Sequence, residues 1–110
     1  METEPAALAG GDAAGRLDKT VQEMSVADRL RNVRRGWRQI DRMTVEAALV
    51  LVAETTALLK IIWQLPDRPD RLVLVEYYLL QKTVRQIADE NGITEDAVYR
   101  QKRIALERFQ

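Results

Sequence analysis

The chain has 110 residues, with 17 Lys and Arg balanced by 17 Asp and Glu, 46 % hydrophobic and 31 % charged residues, and no Cys or His. That length supports one domain, or a small domain with an appendage. Without Cys or His there is no disulfide scaffold, thiol nucleophile, thiolate metal site or histidine base, so an enzyme is the least favoured class and no cofactor or metal is expected.

Residues 1–23 are rich in Ala, Gly and acids, with AlaGlyGlyAspAlaAlaGly at 9–15. Such a segment buries too little surface to offset its ordering entropy and reads as a flexible acidic tail. Its acidic start lacks the basic and apolar regions of a signal peptide. Ordered structure is expected from Ser25, where a capping residue precedes Asp28 in a capping-box-like start. Val26, Leu30, Val33, Trp37 and Ile40 follow at spacings of 4, 3, 4 and 3, a heptad-like stripe interrupted by Gly36. A second helix starts at Thr44 and runs unbroken to Leu65, with a stripe drawn through Val45, Ala48, Val52, Thr55, Leu59 and Ile62. Leu49, Leu51, Leu58 and Trp63 make it apolar on several sides, which predicts burial by neighbours and self-association. Ala47 to Leu65 has the length of a membrane span, but Glu54 and Lys60 inside it argue against one. A cytoplasmic protein is expected.

Pro66 and Pro69 are expected to end the second helix and form a rigid linker. A third helix is predicted from about Asp70 to Leu80, with Leu72, Val75 and Tyr78 or Leu79 inward. Two short helices follow, Thr83 to Asn91 and Thr94 to Phe109, joined around Gly92. No segment alternates as a strand, so the fold class is all-α: a flexible tail over 1–23, a helical hairpin or coiled-coil oligomerisation segment over 24–65, and a helix-turn-helix domain over 66–110.

The last two helices carry the functional argument. Ala88 supplies a small residue where two helices cross, and Gly92 tolerates positive φ at the turn four positions later. Thr94 caps the second helix, Val98 anchors it inward, and Ile87 and Ile93 are expected to fill the wedge. This Ile-Ala-x3-Gly-Ile-x4-Val order is the spacing of a DNA-binding helix-turn-helix, although a plain helical corner shares much of it. Gln101 stands where an apolar residue is more usual. Glu95, Asp96, Tyr99, Arg100 and Arg103 fall opposite Val98, Ala105 and Phe109. Arginines can donate to guanine edges or phosphates, the acids can accept from a cytosine amino group, and Tyr99 can reach a phosphate or a thymine methyl. Beyond Asp96 the chain carries Arg100, Lys102, Arg103 and Arg108 against Glu107, a local charge of +3. A solvated helix face is the plainer alternative.

With these residues in view, 65–110 resembles region 4 of bacterial sigma factors, with Thr94 to Arg100 at the position of the helix that reads the −35 element. Ala105-Leu106 and Phe109 resemble its Ala-Leu-x-x-Leu ending. Including LeuProAspArgProAspArgLeuValLeuValGluTyrTyrLeuLeu and ValTyrArgGlnLysArgIleAlaLeuGluArgPhe, the similarity is closer to phage and prophage late-gene regulators of the ArpU and RinA type. It is good over roughly 45 residues and only architectural over 25–64. The resemblance implies that Thr83 caps the first helix of the motif and touches phosphate, and that Asp96, Tyr99 and Arg100 contact bases or phosphates. Gln81 stands where a Gly often precedes that helix. Glu95 replaces a basic residue of housekeeping sigma factors, and nothing resembles the region that reads the −10 element.

Arg29, Arg31, Arg34, Arg35, Arg38 and Arg42 against Asp41 give residues 29–42 a net +5. Phosphate contact is one reading. A solvated coiled-coil flank paired with acids such as Glu46 or the tail is the other, and is slightly favoured. Trp37 and Trp63 are expected in the core or a dimer seam rather than as stacking platforms. Net charge by segment is −4 over 1–28, +5 over 29–42, −1 over 43–65 and zero over 66–110, so overall neutrality does not argue against DNA. The acidic tail could compete with DNA for a basic face. The sequence therefore predicts a transcriptional regulator that binds double-stranded DNA as a homo-oligomer, with no membrane partner. A phage terminase small-subunit-like packaging protein, or a sigma-like module binding RNA polymerase, is the alternative.

Overall fold

The computed structural model describes residues 24–109, so the tail over 1–23 lies outside the described residues. Five α-helices make up the fold: α1 (Val26–Arg38), α2 (Val45–Ile62), α3 (Arg68–Leu74), α4 (Val84–Asn91) and α5 (Glu95–Glu107), with no strand among the described residues. A 3₁₀ turn (Ile40–Arg42) joins α1 to α2, and a π-helical turn (Val75–Leu79) follows α3. No helix among these residues is long and apolar enough to cross a membrane.

The helix starts follow local chemistry. Ser25, Thr44, Thr83 and Thr94 all adopt extended backbone and accept a hydrogen bond from the amide three residues on, each at 3.1 Å. Such caps satisfy amides that have no partner inside the helix. At Thr83 the cap is reciprocal, because Gln86 Oε1 accepts from the Thr83 amide at 2.8 Å. Asp28 does not reach back in this way, and its carboxylate accepts from Arg31 instead.

Three expected elements are corrected. Pro69 is not linker but lies in the first turn of α3, where a missing N–H costs nothing. The third helix does not run on to Leu80. It opens at Val75 into a wider turn closed by the Leu80 amide donating to the Val75 carbonyl at 2.9 Å. The α2 stripe meets the core only in part. Ile62 is buried and Ala48 and Thr55 are half-buried, but Val45, Val52 and Leu59 are exposed, and Leu51 and Leu58, off the stripe, are buried in their place. A helix apolar nearly all round offers no unique phase, and the neighbours choose it.

One continuous core joins both parts of the chain. Leu30 and Val33 of α1 and Leu51, Leu58 and Ile62 of α2 belong to the same buried cluster as Val73, Leu74, Tyr78, Ile87, Val98 and Ala105. α1 packs on α2 and on the π turn, and α5 packs on α3 and α4. Gly36 permits close approach of α1 and α2, since a Cβ there would meet Leu51 Cδ1 at 2.8 Å. Trp37 donates from Nε1 to Thr55 Oγ1 at 2.9 Å across the same contact. Trp63 is not in the core, being 59 % exposed with the Arg71 guanidinium 5.4 Å from its ring.

Gln81 closes the π turn at φ +65°, a left-handed conformation that favours glycine. Its Nε2 donates to the Tyr78 carbonyl at 2.9 Å, but its Oε1 is buried without a partner. Gln81→Gly removes both burdens at the cost of one hydrogen bond. It is expected to stabilise the fold by about 0.5–1 kcal/mol in urea denaturation, and a loss of stability would refute this account.

Candidate nucleic-acid interface

α4 and α5 meet at a tight turn built on Gly92, whose φ is +65° and which has open space around its Cα. The Gly92 and Ile93 amides both donate to the Ala88 carbonyl, the latter at 3.0 Å, closing α4 in a Schellman-type cap. Ala88 is buried at the crossing and Ile87 beneath it. Ile93 does not fill the wedge as expected. It is 40 % exposed, because the left-handed glycine turns the chain outward.

Val98 and Ala105 are both fully buried and fix the rotation of α5 about its axis. At its C-terminal end, Arg108 donates to Asp70 at 2.6 Å and to Asp67 at 3.0 Å, tying the helix to the start of α3. Asp70 is nearly fully buried, so this pair satisfies a carboxylate that would otherwise be stranded.

This rotation leaves Glu95, Asp96, Tyr99, Arg100 and Arg103 exposed on one side. Among the described residues, none of the four charged ones is in an ion pair. Thr83 and Thr94 are exposed at the starts of α4 and α5, with each hydroxyl already accepting a backbone bond. Lys102 stands apart. It is half-buried, and its ammonium lies 4.0 Å from the Tyr77 ring centroid and 5.4 Å from that of Tyr99. That cation–π contact holds α5 against the π turn.

Beside this face runs an open groove of about 710 Å³ between α5 and the first turns of α1. Ala27 and Arg31 form one wall, Tyr99, Arg100, Arg103 and Leu106 the other, and Tyr78 is at its base. Burial pushes the Tyr78 phenol above its ordinary pKa, with Arg31 and Arg34 pulling it down, so the ring contributes no negative charge near neutral pH. The groove is therefore predominantly cationic, with Asp96 and Glu107 as its acids.

The arginine-rich segment divides by role. Arg29 makes two bonds to Glu54, at 2.7 and 2.8 Å, an interaction that raises its own pKa. Arg34 is buried, donates to the carbonyls of Tyr77 and Lys82, and places its guanidinium 3.9 Å from the Tyr77 centroid. Arg35 bonds Asn32, while Arg31 bonds Asp28 at the surface. Among the described residues the acids paired with the segment are Glu54 and Asp28 rather than Glu46, and the tail named as the other partner lies outside them. Sequence reasoning did not single out Arg31 and Tyr78 as groove residues, because the contact between α1 and the π turn that brings them there is not a local property. No family model matches the chain, and neither a curated protein nor a solved structure shows significant similarity to it.

Proposed function

We propose that the chain is a sequence-specific regulator that binds double-stranded DNA, of the phage or prophage type, acting as a dimer or higher oligomer with α5 as the helix that enters the major groove. The observation that carries this reading is the α4–Gly92–α5 corner. Buried Val98 and Ala105 direct Asp96, Tyr99, Arg100 and Arg103 to solvent on one helix face. Those side chains match the donors and acceptors on base edges. Acids in the first turn of α5 disfavour phosphate at that end and favour the cytosine amino group, whereas the arginines lie one and two turns further on. Arg31 across the groove supports the reading as a cation whose only pair among the described residues, with Asp28, is at the surface and easily exchanged for phosphate.

The test is binding to fragments upstream of promoters in the encoding genome, compared with random duplex at matched salt. The regulator predicts clear preference for particular fragments. Equal, salt-sensitive affinity for all duplexes would indicate the packaging role, and no binding to any would indicate a module that docks on RNA polymerase.

A further inference from the structure

We infer that two copies of this chain pair through α2, with the helices antiparallel, along a stripe that the fold leaves in solvent. The inference rests on the homo-oligomer reading above and adds the surface and orientation. Val45, Leu49, Val52, Thr56, Leu59 and Trp63 recur along α2 at spacings of 4, 3, 4, 3 and 4, the alternation of a coiled-coil seam. All six are exposed, Val45 at 71 % and Leu49 at 64 %. They lie away from Leu51, Leu58 and Ile62, which face the core, so a partner on the seam displaces nothing from it.

The seam is symmetric about the level of Glu54. In an antiparallel pair Val45 meets the partner's Trp63, Leu49 meets the partner's Leu59, and Val52 meets the partner's Thr56. Large residues then oppose smaller ones at the ends. A parallel pair would instead stack Trp63 on its own copy and leave Thr56 facing Thr56.

The charges choose the same orientation. α2 carries only Glu46, Glu54 and Lys60, and Glu54 is engaged by Arg29. At 100° per residue Glu46 and Lys60 lie on the same flank of the seam. A two-fold axis perpendicular to the helices keeps that flank on one side for both copies. Glu46 then comes level with the partner's Lys60 to within about 3 Å along the axis, twice over by symmetry. In a parallel pair they would be about 21 Å apart along the axis.

Light scattering of the full chain at micromolar concentration should give a dimer. Leu49→Asp, at an exposed position, should raise the dimer Kd at least about a hundredfold with the helical circular dichroism signal unchanged. Glu46→Lys and Lys60→Glu should each weaken the dimer about fivefold, and the double variant should restore it to within about twofold. Because the chain has no Cys, Glu46→Cys mixed with Lys60→Cys should be joined into a heterodimer by a short bifunctional thiol cross-linker, while neither variant links to itself. A monomeric wild type would overturn both this inference and the homo-oligomer reading. A dimer indifferent to Leu49→Asp, a failed double-swap rescue, or self-linkage of Glu46→Cys would overturn the α2 pairing alone and leave self-association through another surface.

Discussion

Arg34→Ala is expected to destabilise the fold by about 3 kcal/mol, lowering the melting temperature by about 15 °C for an ordered region of this size. Three losses combine. The Tyr77 and Lys82 carbonyls lose a charged donor at a part-buried site, the guanidinium no longer covers the Tyr77 ring, and the aliphatic stem leaves a void between α1 and the π turn. Arg34→Lys keeps the charge but a single ammonium cannot reproduce the planar fork, so it should recover less than half of the loss. Arg34→Met fills the void without donors and separates packing from hydrogen bonding. A melting temperature for Arg34→Ala within about 3 °C of wild type would show that Arg34 does not hold α1 to the rest of the molecule.

Arg34 also marks where the sequence stops being informative. It belongs to a run of arginines at 3–4 spacing, and nothing local distinguishes it from Arg31 or Arg38. Its burial depends on Tyr77, more than forty residues away, being turned toward it by the π turn. The elements set by local chemistry were legible. Thr83, Thr94, Ser25 and Thr44 cap their helices because each hydroxyl finds an amide three residues away, and Gly92 takes its left-handed φ because the turn requires it. The phase of α2 was not legible, because a helix with leucine or valine on most sides is oriented by its neighbours. The exposed face of α5 could be read because Val98 and Ala105 leave only one way to bury it, whereas Lys102 could not be separated from Arg100 and Arg103 without the position of Tyr77. Gln81 was not legible either, because a glutamine gives no local sign of the left-handed φ of +65° that closing the π turn imposes on it.

Arg100→Ala and Arg31→Ala are expected to weaken DNA binding in different ways, and that difference tests the proposed interface most sharply. Arg100 lies in the middle of the exposed α5 face and is in no ion pair among the described residues, so it is free to make a bidentate contact with a guanine edge. Its loss should lower the ratio of specific to random-duplex affinity about tenfold to a hundredfold, the value of one such contact. Random-duplex affinity should change much less. Arg31 is on the other wall of the groove, with only a surface pair to Asp28 at 2.8 Å, which costs little to break. Its loss should weaken all duplexes alike and reduce the slope of log K against log salt by about 0.9, the signature of one phosphate. Neither side chain supports the core, so both variants should melt close to wild type. If both lower affinity uniformly, α5 contacts the backbone and reads no sequence. If neither has an effect while the chain still binds, the interface lies elsewhere, with Arg38 and Arg42, which have no ion pair among the described residues, as the next cations to test.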